Sequence, residues 1–423
     1  MFENITRSSS ADYISRQTIA DSNKSSALSH EKRIESDLND IFELMKSNPA
    51  ERAELLEKVV LEYVHNQVFT VFRVFCKMVP FELFLEMILS ETNDQIIEHS
   101  LNCLSCTCSI AQIVFPCETF AREDVLQLLI HTLSSEKPEL IKHSLVLLTQ
   151  IVSKNQFSRD FVLNSGVIDI LAQIDIDYSF VELLEALSLT KFPEEFEGIS
   201  LILEILYRVL RAERSVDIYS ISLSSLKMII INGGIQVLPE AFLPFIEKFI
   251  FSNITGLMVH SLSILEYSET APISIGAKLY EILYDEDRPP VVGFTAKLFV
   301  RFHIEWGCIV DENFVNTLIH KLGLFSLQVE IALIRAIMVF SDSGRLIDVE
   351  NIGVFLNYVT IPEISKECLV GFCNLYQKHV QSLPSNTITN LSTQFESLLE
   401  SIYDIDNEEI SNMAEAISRI LEH

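Results

Sequence analysis

The residues best suited to chemistry crowd one short stretch of the chain. His99, Cys103 and Cys106 stand at i, i+4 and i+7, so a helix would carry all three on one face, with Cys108 and Cys117 following. Imidazole and thiolate are the ligands zinc prefers, and such a face could offer three soft donors. A metal or redox protein built on Cys103, Cys106 and Cys108 is therefore one reading. The competing reading is packing. Cys103 and Cys106 form a lone Cys-x-x-Cys with no second pair to complete a zinc site. Cysteine is also a small hydrophobe that is often buried for its volume alone. Packing is the favoured reading, and no metal and no cofactor are expected.

No other stretch carries a catalytic constellation. There is no G-x-S-x-G elbow, no glycine-rich phosphate loop and no H-E-x-x-H. Asp285-Glu286-Asp287 lacks the glycine and the spaced glutamate of a calcium loop, and reads as a solvated turn before Pro289-Pro290. The expectation is that the protein is not an enzyme. Its 423 residues carry 31 basic and 59 acidic side chains, a formal charge of −28, and 48% are hydrophobic. That apolar content excludes a disordered chain. The acid excess argues against nucleic acid, whose binding rests on neutralising phosphates with Lys and Arg. It fits either plain solubility or attraction of a basic partner.

The elements that would position these residues form a repeat. DQIIEHSLNCLSCTC, from Asp94, and PELIKHSLVLLTQIV, from Pro138, are 44 residues apart, and the tripeptide His-Ser-Leu returns at His260–Leu262. In this alignment Cys103 falls on Leu147, Cys108 on Val152, and His99 on His143, which has no cysteine neighbours. The three repeated histidines (His99, His143 and His260) read as bordering helix contacts. A small residue recurs at Ser100, Ser144, Ala186, Ser222, Ser261, Ala296, Ala332, Cys368 and Ala414, at steps of 44, 42, 36, 39, 35, 36, 36 and 46. Such spacings, without period-two alternation, belong to helical solenoid units, whose apolar faces are buried only by stacking. The small residue lets neighbouring helices approach closely. Residues 50–64 read as an earlier, degenerate unit. Gly166, and Gly233 with Gly234, stand where helices should end in a left-handed turn. Phe69–Leu89 is apolar but interrupted by Arg73, Lys77, Pro80, Glu82 and Glu86, so it reads as a buried helical hairpin, since a bilayer span needs roughly 20 apolar residues.

The stretch Glu139–Ile174 resembles one armadillo unit: SLVLLTQIV stands for the family's long third helix, and FVLNSGVIDIL for its turn into the next helix. INGGIQVLPEAFLPFI, beginning at Ile231, resembles the same turn. The order of a polar tail and then a degenerate first unit is similar to importin-α, the nuclear-import adaptor. That resemblance implies an all-α, right-handed superhelix of armadillo or HEAT-like repeats that binds basic peptides along its concave face. The family's Trp and Asn ladder falls here on Asn102 and Cys106, Val146 and Gln150, Ser224 and Met228, Ser263 and Tyr267, Leu298 and Phe302, Ile334 and Met338, and Val370 and Asn374. None is tryptophan, and only Asn374 keeps its type.

The resulting expectation is a disordered, serine-rich tail over residues 1–30 and a solenoid over 31–423, capped by its last helices from about residue 386. Its function is protein binding, by a scaffold or adaptor that holds a protein or peptide partner, basic in the import-adaptor form, at Gln150, Tyr267, Arg335 and Asn374. No nucleic acid and no membrane insertion are expected. The N-terminal residues show no basic stretch followed by an apolar run, so the expected place is cytoplasmic or nuclear. A structural subunit of a cytoskeletal or trafficking assembly is the alternative, which would carry an apolar patch on a lateral edge.

Overall fold

The computed structural model describes residues 30–108, 114–306, 312–341 and 349–421, and divides into two compact units that meet at Gly233 and Gly234. Every regular element among the described residues is helical. In the first unit these are α1 (residues 30–47), α2 (Arg52–Val59), α3 (Phe69–Met78), α4 (Phe81–Ser90), α5 (Asp94–Thr107), α6 (Cys117–Phe120), α7 (Glu123–Thr132), α8 (Pro138–Val152), α9 (Gln156–Asn164), α10 (Val167–Leu171), α11 (Tyr178–Ser188), α12 (Ile199–Arg211) and α13 (Val216–Asn232). In the second they are α14 (Leu243–Ile250), α15 (Thr255–Leu265), α16 (Ile273–Asp285), α17 (Pro289–Trp306), α18 (Glu312–His320), α19 (Leu327–Ser341), α20 (Ser365–His379), α21 (Ser385–Tyr403) and α22 (Glu408–Leu421), with a 3₁₀ segment at Val349–Tyr358.

Each unit is an all-α solenoid segment in two layers. In the first, the long helices α2, α5, α8, α11 and α13 pack each on the next, while α4 packs on α7 and α10 on α12 in the other layer. In the second, α15, α17, α19, α20 and α22 form one layer, and α14, α16 and α18 follow one another in the other. The nine small residues of the repeat are all buried, each on a long helix where a neighbour crosses closely. Cysteine and alanine serve as well as serine because the position selects for size rather than polarity.

The longer repeats hold an extra short helix. The segments ending in α8 and α11 have three helices each, α6–α7–α8 and α9–α10–α11, as the armadillo resemblance implies. Repeats of 35 or 36 residues have room for only a pair. Gly166 adopts the left-handed conformation (φ +74°) between α9 and α10. The second glycine turn also ends a helix, as expected. Gly234 is also left-handed (φ +68°), but it follows the long helix α13 and does not lead into a second short helix.

Buried cations lock the turns. Arg159 on α9 is 1% exposed and donates to the carbonyls of Leu187, Thr190 and Lys191 at 2.8, 2.7 and 3.1 Å, with its guanidinium over the Phe192 ring. These are the last carbonyls of α11 and the turn after it, which have no partner inside the helix. The Phe69–Leu89 region is the pair α3 and α4, broken at Val79 and Pro80. No helix among the described residues is long and apolar enough to cross a membrane. The expected tail falls almost wholly outside the described residues, and helix α1 begins at residue 30.

Candidate functional site

A groove of about 680 Å³ lies in the first unit. Its walls are successive long helices: α2 with the π-turn Val60–Val64 that continues it, then α5, α8 and α11. The repeat builds it, because equivalent positions on consecutive helices line up along one face.

Polar side chains make the floor. The Asn102 amide nitrogen lies 3.5 Å from His65 Nε2, and the Asn102 carbonyl oxygen accepts from the Cys106 thiol at 3.4 Å. His143 Nδ1 lies 2.8 Å from Ser105 Oγ, joining α8 to α5. His99 reaches Gln95 at 3.4 Å, and Val146 and Gln150 continue the floor along α8. Four glutamates line the groove as well, Glu57, Glu98, Glu139 and Glu182, with Lys142 among them and Lys137 Nζ 3.2 Å from the Glu98 carboxylate.

The electrostatics follow from this crowding. Burial pushes the His143 imidazole down to about 4, against the pull of Glu139 4.0 Å away, so it is neutral at physiological pH. Burial raises the Glu182 carboxyl, and the neighbouring charges of Glu185 and Asp177 add to the rise. The groove thus offers hydrogen-bonding side chains, the Asn102 and Gln150 amides among them, beside a cluster of carboxylates.

The soft-ligand face does not converge. Cys103 is fully buried and points into the packing, whereas Cys106 and His99 open on the groove. Burial pushes the Cys106 thiol up to about 11 and that of Cys108 to about 12, so both stay protonated. Among the described residues no three His, Cys, Asp or Glu side chains are placed to hold a metal ion; Cys308 lies outside them.

Of the four expected peptide-holding residues, Gln150 lies in the first unit and Tyr267, Arg335 and Asn374 in the second. Gln150 lines the groove. Arg335 lines a second, smaller groove of about 280 Å³ between α17 and α19 of the other unit, with Lys297, Val300, Gln328 and Ile331. There its guanidinium donates to the Glu363 carbonyl at 3.0 Å and lies 3.5 Å from the Glu367 carboxylate. Tyr267 is not on a long helix at all: α15 ends at Leu265, and the Tyr267 carbonyl accepts from Leu238 N–H at 2.8 Å. Asn374 is exposed on α20. The ladder carried across from the resemblance also slips in the second unit. Ser263, Leu298, Phe302 and Ile334 are buried in the packing rather than open on a face. Sequence reasoning missed Glu57, Glu98, Glu139 and His65, and no recurring motif marks them: an acid directly precedes only the first of the three His-Ser-Leu tripeptides, at Glu98.

No protein-family model matches the chain, and no curated protein matches it either. Among solved structures it is similar to a computationally designed armadillo repeat protein for modular peptide recognition, at 13% identity over 54% of this chain and 98% of that one, with a TM-score of 0.41. A second designed armadillo repeat protein shows 15% identity over 54% of this chain and 97% of that one (TM-score 0.42), and an engineered protein 16% over 55% and 96% (TM-score 0.38).

Proposed function

We propose that this chain is a non-catalytic scaffold that binds an extended, basic segment of a partner protein in the groove of its first unit. The supporting observation is the groove itself: four glutamates, against Lys142 and the Lys137 that pairs with Glu98, beside hydrogen-bonding side chains on consecutive long helices. Lysine and arginine side chains would lie against the glutamates, and Asn102 and Gln150 would meet the peptide backbone. A nuclear-import adaptor is the specific form of this reading.

The test is fluorescence anisotropy of a labelled basic nuclear-localisation peptide titrated with the full chain near physiological salt, beside an acidic control and a scrambled peptide of the same charge. Selective micromolar binding that weakens in Gln150→Ala and is untouched in Asn374→Ala supports the groove. Preference for the localisation sequence over its scrambled form supports the import reading. Absence of binding, or binding that vanishes with modest salt and ignores Gln150, discards both.

A further inference from the structure

The second unit carries an unexplained edge where α14 turns into α15, α16 into α17, and α18 into α19. Five large apolar side chains stand exposed there: Phe251, Ile254, Tyr284, Leu324 (68% exposed) and Leu327. The corresponding turns of the first unit are built differently. Asn93, Asp177 and Ser215 occupy the position just before α5, α11 and α13, and each accepts a hydrogen bond from the new helix. Those turns (residues 91–93, 134–137, 175–177 and 212–215) expose no large apolar side chain, although Tyr178 and Val216 stand open at the first position of the following helices. In the second unit the capping position of α15 is given to Ile254, which makes no cap and is exposed. A solvated turn would favour Ser, Asp or Asn at that place.

The edge is also rigid. Asn253 (φ +59°) and Gly323 (φ +84°) hold two of its turns in the left-handed conformation. Arg288 reaches across one repeat to the Asn253 carbonyl and the Thr255 hydroxyl, and it is clamped by the Glu286 carboxylate. Lys321, buried, reaches back across the next repeat to the Glu286 carbonyl at 2.7 Å and toward Asp287 at 3.6 Å. Each strut spans one repeat, so the three turns form one continuous strip. Leu324 N–H bonds to the Lys321 carbonyl and Tyr284 precedes Glu286 by two residues, which sets the apolar side chains directly on the struts. A pre-ordered strip of this kind loses little freedom when it is covered.

The charges beside the strip are acidic. The cations Arg288 and Lys321 are spent on its own struts, and Lys278 is paired with Glu281 at 2.6 Å, leaving Asp285 and Asp287 exposed at its middle. A second copy of this chain, at −28, would bring like charge to the strip. We infer that this edge of the second unit is a docking surface for a cationic amphipathic helix of another protein, whose apolar face covers Ile254, Tyr284 and Leu324 while its Lys or Arg residues meet Asp285 and Asp287. The surface is distinct from the groove of the first unit.

A displayed library of random 16-residue peptides, panned on the full chain and counter-selected on the Ile254→Asp/Leu324→Asp variant, tests this. Both substituted side chains are exposed, and Leu324→Ser alone serves where the double variant fails to match the parent's thermal unfolding. The expected result is a set of net-positive peptides with apolar residues at i, i+3 or i+4 and i+7. Their affinity should fall at least tenfold in the edge variants and in Asp285→Lys/Asp287→Lys, and stay unchanged in Gln150→Ala. Recovery of no edge-dependent peptides, or of acidic or unpatterned ones, overturns the inference. So does sedimentation showing a dimer that the edge variant abolishes, because a second copy would then be the occupant.

Discussion

The two units are built from the same repeated helix, yet they spend their polar and apolar residues in opposite places. In the first, hydrogen-bonding side chains stand on the face of the long helices and polar residues cap the turns. In the second, the equivalent face positions Leu298, Phe302 and Ile334 are buried in the packing, and apolar residues crowd the turns. Two of the grooves differ in charge as well: Glu57, Glu98, Glu139 and Glu182 line one in the first unit, whereas Lys297 and Arg335 line one in the second, and Arg208 and Arg211 with Glu204 line a further groove of the first unit. A repeat fixes where helices touch. It leaves the surface free, so each unit can present a different chemistry on the same frame.

The first unit depends most on single buried polar groups, so the largest effect is expected at Arg159. Replacing it with methionine keeps the volume but leaves the carbonyls of Leu187, Thr190 and Lys191 without their donor. At about 1–3 kcal/mol for each buried group left unpaired, Arg159→Met should cost on the order of 4 kcal/mol in urea unfolding. A loss under about 1 kcal/mol would show that water replaces the guanidinium. If the two units unfold in separate transitions, only the first should move.

His143 gives the first unit a pH dependence. Its native value of about 4 lies below the ordinary 6.5, so the unfolded chain takes up a proton first as pH falls. The stabilisation is complete above about pH 6.5 and is lost between there and pH 4, amounting to on the order of 3 kcal/mol. His143→Gln should flatten that part of the stability curve, while leaving the acid transition of the carboxylates in place. An unchanged curve would mean that the ring is open to water.

The charge difference between the grooves of Glu98 and Arg335 predicts an asymmetric response to substitution. Glu98→Lys/Glu139→Lys should weaken binding of a basic peptide at least about tenfold, or ~1.4 kcal/mol. Arg335→Glu, in the other unit, should leave it within about twofold. Equal effects in anisotropy titrations would show that net charge alone drives the association.

What could be read from the sequence divides along physical lines. The nine small residues and Gly166 were legible because sterics leaves almost no alternative there: a long side chain cannot fit a close helix crossing, and a left-handed turn favours glycine. The faces of the second unit's helices were not: positions two and six residues past the small residue line the groove on α5 and α8 but are buried at Leu298 and Phe302, and a helix's own periodicity does not say how much of its flank a neighbour covers. Tyr267 failed for another reason. The apolar rhythm continues past Leu265, but the helix stops there to let the Leu238 N–H reach the Tyr267 carbonyl. Arg159 gave no signal at all, since a charged residue reads as exposed until the carbonyls around it are known. The groove glutamates were visible as acids, but their convergence depends on stacking α5 on α8.

The smallest effect expected sharpens the comparison at one repeated position. Ser144 and Ser261 occupy the same place on α8 and α15, and both are fully buried. In the first unit the Ser144 hydroxyl is satisfied twice: it donates to the Leu140 carbonyl at 2.9 Å and lies 2.6 Å from the Thr132 hydroxyl. In the second, the Ser261 hydroxyl has no hydrogen-bond partner. Ser144→Ala should therefore cost about 1 kcal/mol, because it strands the Thr132 hydroxyl, while Ser261→Ala should be neutral or stabilise by up to about 1 kcal/mol by removing an unpaired buried group. Both changes keep the residue small, so helix packing is held constant and only the hydrogen bonding differs. Opposite signs in thermal unfolding would show that hydrogen bonding sets the cost at this position, where the Ser100 hydroxyl of α5 is unpartnered like that of Ser261, whereas equal losses would mean that a buried water serves Ser261.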